Sequence, residues 1–293
     1  MTSPAGRAAR EPRDRLPRPP NGPEARAIVL KCYVGDRSER SSYLLGGLIA
    51  PARKWERFVR RWEAVLARAP ALPCWDTEAA FAETRRAPFD ALSRTQLKRR
   101  CAALAAAIHE LDPVVVAVAM SAADFDAHVR GGLQIPLQTD PALEERRLAT
   151  LRLGQRPAQA LHFGLLPAVD AAARRGRPQG VRLVLEAAGA ARDAELDYEL
   201  RRFVRHRVSQ GGLDPFVAIG HAPGHGPGES RALEAAGLVA WAARATLDGR
   251  GLNRVTRVLG SVEVVTVGAE QARQWTEAVN AYWAQDGIAH ERA

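Results

Sequence analysis

Two apolar runs, Ile28 to Val34 and Tyr43 to Ile49, flank a polar stretch from Gly35 to Ser42. This pattern predicts a β-hairpin. Both runs are apolar almost throughout rather than at alternate positions, so the two strands are expected in the middle of a covered sheet. Beyond the hairpin the period changes. Ala52 to Arg68 sets Trp55, Phe58, Val59, Trp62, Val65 and Leu66 three and four residues apart, predicting an amphipathic helix with a basic outer face, its tryptophans packed in the core. Leu72 to Phe89 is polar and irregular. Ser93 to Leu111 reads as a helix with Ser93 as N-cap and Pro113 just past its end. Val114 to Met120 is an uninterrupted β-branched run, the signature of an interior strand.

Further along, Ser121 to Val129 reads as a short helix, Pro141 to Leu153 as another, and Ala158 to Arg174 as a helix kinked or broken at Pro167. Strands are expected at Val181 to Ala188, Pro215 to His221 and Val262 to Gly268, with helices at Glu195 to Val208, Arg231 to Leu247 and Ala269 to Ala284. A hairpin followed by alternating strands and helices predicts an α/β fold, a mixed sheet covered by helices on both faces.

Composition narrows the setting. The apolar fraction of 46% in 293 residues suffices for a real core, and residues 27–293 are expected to form a single domain. Residues 1–26, rich in Pro and Arg, read as a disordered basic tail without the apolar stretch of a secretory signal. No run is apolar enough to span a bilayer, so no membrane partner is expected. Three scattered cysteines, Cys32, Cys74 and Cys101, suit a cytoplasmic protein in which each is a small buried hydrophobe. The net charge of +9 points to a polyanion, with nucleic acid as the candidate partner.

Three separated segments carry a resemblance. KCYVGDRSERSSYLLGGLIAPARKWERFVRRW, VRLVLEAA and ALEAAGLVAWAAR together resemble the domain-of-unknown-function 3800 family, whose members look like an RNase H-type α/β fold. In that family the first strand ends in Asp-Glu-Ser-Gly or Asp-Asp-Ser-Gly, a later strand ends in an acid, and the last helix carries Asp in Pro-Leu-Gln-Ala-Ala-Asp-Leu. The departures fall on the acids. Without gaps, Gly35 takes the first Asp position and Asp36 the next; with one residue inserted, Asp36 leads and Asp36-Arg37-Ser38 recovers the spacing. Gly237 stands where the helix Asp belongs.

An active site of this ancestry gathers carboxylates around Mg²⁺ or Mn²⁺, because hard divalent ions prefer charged oxygen ligands. The resemblance nominates Asp36 and Glu186, with Glu234 as a third catalytic acid and Glu78 as a further metal ligand. Arg37 opposes this, since a guanidinium beside Asp36 repels a cation and can itself satisfy the carboxylate. The expected function is therefore nucleic-acid association with a degenerate metal site. The alternatives are a metal-dependent phosphodiesterase built on Asp36, Glu186 and Glu234, and a protein-interaction module. The remaining polar features are weaker. His221 and His225 flank a Gly/Pro loop, Gly224-x-Gly226 lacks the rest of a phosphate loop, and Ser38, Ser41 and Ser42 read as turn residues.

Overall fold

The expected hairpin forms the centre of the sheet. β1 (Leu30–Asp36) pairs antiparallel with β2 (Ser42–Pro51), Tyr33 opposite Leu48 and Gly35 opposite Gly46. β2 pairs antiparallel with β3 (Val114–Ser121), and β1 pairs parallel on its other side with β4 (Val181–Glu186). β5 (Phe216–Ala222) continues parallel to β4, and a three-residue β6 (Val264–Thr266) lies parallel to β3, giving the order β5-β4-β1-β2-β3-β6. A three-stranded antiparallel meander extended by parallel strands on the β1 side is an RNase H-like α/β arrangement, here with one more strand at the far edge. In this computed structural model the described residues are 30–36, 41–154, 156, 165, 169, 180–187, 189–209, 216–222, 229–249, 259 and 264–291. The expected basic tail, the turn at 37–40, most of the helix expected over Ala158 to Arg174 and the loop at 223–228 lie outside them.

Side-chain alternation divides the core in two. Tyr33, Leu44, Leu48, Ala117, Ala119 and Val184 face one layer; Cys32, Val34, Leu45, Ile49, Val118, Leu183 and Leu185 face the other. The first layer holds α1 (Ala52–Leu66), α2 (Thr77–Phe81), α3 (Arg94–Leu111) and α6 (Glu229–Leu247). The second receives Phe125 and Val129 from a π-helical stretch (Phe125–Arg130), and residues of α5 (Ala190–Ser209) and α7 (Ala269–Glu291). α4 (Pro141–Gly154) packs against α5.

Local chemistry fixes the first layer. Ser93 and Gln96 form a reciprocal capping box at the start of α3, and Asp112 ends it in the left-handed region at φ 51°. Asp76, whose side chain accepts from the amides of Glu78 and Ala79, starts α2 inside the stretch that reads as irregular. Arg100 of α3 donates to the carbonyls of Arg68, Ala69 and Pro70, satisfying backbone groups just beyond the end of α1. α6 lies between the sheet and α1/α3, and 14 of its 19 residues are buried. A helix apolar all round belongs in such a place.

Three boundaries differ from the sequence expectation. α5 starts at Ala190, α7 runs on to Glu291, and among the described residues of the last apolar run the strand covers Val264–Thr266, with the Val267 amide donating to the Ala119 carbonyl. The first two gain polar turns that periodicity does not register.

Candidate functional site

β1 and β4 run side by side and end together. Their register closes with Val34 beside Leu185, so the next positions along, Gly35 and Glu186, meet at the same edge of the sheet. Val184 faces the α6 layer, and two residues on, Glu186 stands on that same face, exposed. α6 crosses above. A Cβ built on Gly35 would lie 2.8 Å from the amide nitrogen of Gly237, 3.0 Å from its Cα and 3.1 Å from the carbonyl carbon of Ala236. Gly46, paired with Gly35 across the hairpin, is equally tight, its Cβ falling 2.7 Å from the Cα of Ala240.

Taken without gaps, the three positions that the resemblance assigns to acids therefore do converge. They hold Gly35, Glu186 and Gly237. The two glycines approach through their backbones, and position 35 has no space for even a methyl group while α6 stays where it is. Among the described side chains one carboxylate, Glu186, stands at this edge, and a single exposed carboxylate does not fit a Mg²⁺ or Mn²⁺ site.

The other nominated residues lie elsewhere. Asp36 is in register with Leu45, whose side chain belongs to the second layer, so position 36 lies on the sheet face opposite α6. The Asp36 side chain, like Arg37, lies outside the described residues. Glu78 is exposed on α2, which packs against α3 and α6. Among the described residues, no group of three or more His, Cys, Asp or Glu side chains is placed to hold a metal ion.

Glu234 points inward, to a different set of neighbours. Its Oε2 accepts from the indole nitrogen of Trp62 at 2.8 Å and from the amide of Trp75 at 3.1 Å, while Oε1 accepts from Arg231 at 2.7 Å. Its side chain is fully buried. Burial pushes the carboxyl above the ordinary carboxylate range, and the Trp62 hydrogen bond and the Arg231 charge only partly offset this. Arg231 is held in turn by the carbonyl of Pro73 and faces Glu63 at 3.7 Å. Glu234 thus ties α6 to α1 and to the strand-free segment before α2.

Arg244, two turns beyond Gly237 on α6, is buried and donates to the hydroxyl and the carbonyl oxygen of Ser42 at the start of β2. That role for Ser42 is not visible in the serine pattern of the turn. The guanidinium adds positive charge at the hairpin end of the sheet, where a cation site would need the opposite sign. His221 lies beside Leu185 in the sheet, with its Nδ1 3.5 Å from Asp193 of α5; His225 and the Gly224-x-Gly226 loop lie outside the described residues.

Two of the three cysteines are buried as expected, and Cys74 is not. Cys32 and Cys101 are buried, and burial pushes each thiol up to about 12; Cys74 is half-buried and is also pushed up. Among the described residues no helix is long and apolar enough to cross a membrane. No protein-family model matches the chain, and no curated protein matches it.

Proposed function

We propose that this chain is a nucleic-acid-associated protein of RNase H-like fold, related to the domain-of-unknown-function 3800 family, that binds its partner without cleaving it. One observation carries the reading: where the fold would gather its acids, Gly35 and Gly237 approach through their backbones and Glu186 is the one carboxylate among the described side chains. At position 35 packing against α6 has taken the volume that a carboxylate side chain would fill. The other support is charge, a net +9 in a chain of this length.

The test combines two measurements on the full chain. Mg²⁺ and Mn²⁺ at millimolar concentration should leave the melting temperature unchanged. Labelled DNA and RNA should bind with strong salt dependence and remain intact. A cation-dependent rise in melting temperature that disappears in Asp36→Ala, together with cleavage, would overturn the reading in favour of a phosphodiesterase using Asp36, Glu186 and Glu234. Binding indifferent to salt, or none at any salt concentration, would also overturn it.

A further inference from the structure

Among the described residues the two helical layers carry their positive charge differently. Among the described residues of the second layer and its neighbours, five arginines are matched to acids, Arg130 with Asp126, Arg147 with Glu144, Arg152 with Glu195, Arg201 with Asp197, and Arg273 with Glu270 and Glu277, while Arg146 and Arg192 are exposed without an ion pair. The α1/α3 layer is not neutralised in this way. α1 bears five cations and two acids. Lys54 and Arg61 are matched, by Asp112 and Glu110 near the end of α3, and Glu63 turns toward Arg231. Arg53, Arg57 and Arg60 are exposed at i, i+4 and i+7 and have no ion-pair partner among the described residues. The same holds for Arg94, Lys98 and Arg99 on the first turns of α3.

The helices lie antiparallel, since Lys54 at the start of α1 donates to Leu111 at the end of α3. The unmatched cations of α3 therefore extend the row of α1 past its far end. Between the helices runs a groove of about 320 Å³ lined by Arg53, Lys54, Arg57 and Arg61, with Glu110 as its one acid. On the other flank of α1 a groove of about 610 Å³ is mixed, with Lys31, Arg53 and Arg60 against Glu56 and Glu229.

We infer that the outer face of α1 and α3 is the docking surface for a nucleic-acid backbone, with Arg53, Arg57, Arg60, Arg94, Lys98 and Arg99 contacting phosphates. This rests on the nucleic-acid reading above and assigns it a place. Unmatched guanidinium groups in a row release counterions from a polyanion at no loss of internal ion pairs, which matched arginines cannot do. The aromatics of α1 are spent on the core: Trp55, Phe58 and Trp62 are 3%, 3% and 0% exposed. With no ring offered for base stacking, contact is through phosphates and independent of sequence. α1 and α3 are about 22 and 27 Å long at about 1.5 Å per residue, enough to follow about seven base pairs.

The experiment measures binding of the full chain to a duplex of about 12 base pairs, unrelated in sequence between repeats, across a salt series. Three variants are compared, each removing three positive charges: Arg53/Arg57/Arg60→Gln, Arg94/Lys98/Arg99→Gln, and Arg130/Arg152/Arg273→Gln on the opposite side. Circular dichroism and melting temperature check that each is folded. Either of the first two should lower the slope of log K against log salt by about 3, and the third should leave it unchanged. Equal losses in all three variants, or an unchanged slope in the first two with the wild type still binding, would overturn the assigned surface and spare the nucleic-acid reading. A wild type that does not bind would overturn both.

Discussion

Glu234 gives the sharpest test of how the first layer is held. Replacing it by Ala strands the indole N–H of Trp62 and the amide of Trp75 inside the core and leaves Arg231 without its nearest acid. Each orphaned buried donor costs about 1–3 kcal/mol, and breaking a buried ion pair from one side costs about 3–5 kcal/mol. The terms overlap, so Glu234→Ala should lose about 3–5 kcal/mol, a large share of the roughly 5–15 kcal/mol that a folded domain has in total. Glu234→Gln keeps an acceptor for Trp62 and Trp75, and Arg231 retains the Pro73 carbonyl, so it should cost only about 1 kcal/mol.

The pH dependence separates the two variants further. Burial raises the Glu234 carboxyl in the folded state above its unfolded value, so the native state binds that proton more tightly. Its contribution to stability is fully present below the ordinary carboxylate range and is lost as pH rises through the raised folded value. Glu234→Gln removes that descent. Urea denaturation at several pH values from acid to neutral, read by tryptophan fluorescence, measures both effects. The reasoning is wrong if Glu234→Ala is as stable as the wild type, or if the Gln variant retains the full wild-type descent.

Three further outcomes follow from described contacts. Gly35→Ala and Gly46→Ala should each cost about 1–3 kcal/mol by forcing α6 off the sheet, and the double variant less than the sum, because one displacement relieves both clashes; thermal melts of all three check this. Arg100→Ala frees three carbonyls next to α1 and should cost about 1–3 kcal/mol in the same assay, with an unchanged melt counting against its capping role. With a thiol-reactive chromophore at neutral pH, native protein should label at Cys74 alone and slowly, with Cys32 and Cys101 reacting only on unfolding; rapid labelling of either buried thiol would contradict their placement.

Much of the fold was legible because it rests on local patterns. The hairpin, the capped α3 and the run Val114 to Met120 appear near their expected places, and the apolar character of both hairpin strands correctly placed them at the centre. β6 falls inside the strand expected at Val262 to Gly268, but its place beside β3 at the far edge was not legible, since no local pattern says which strand a run will pair with. Nor were the partners of Glu234, because Trp62 lies 172 residues away and no spacing rule links them. The glycines were visible but read as lost acids. Small residues on both sides, Gly35 and Gly46 below and Ala236, Gly237 and Ala240 above, were the available sign of a close helix–sheet approach.

The burial of α6 also bears on the order in which the chain can fold. The surface it covers, Tyr33, Leu44, Leu48 and Trp62 among others, belongs to elements completed by Leu66, while α6 ends at Leu247. At a synthesis rate of about 5–20 residues per second, a growing chain would leave that surface uncovered for roughly 10–35 s. The hairpin and its first helix thus wait, exposed and apolar, for their lid to be translated. During that interval the nascent protein depends on its surroundings to keep it from aggregating.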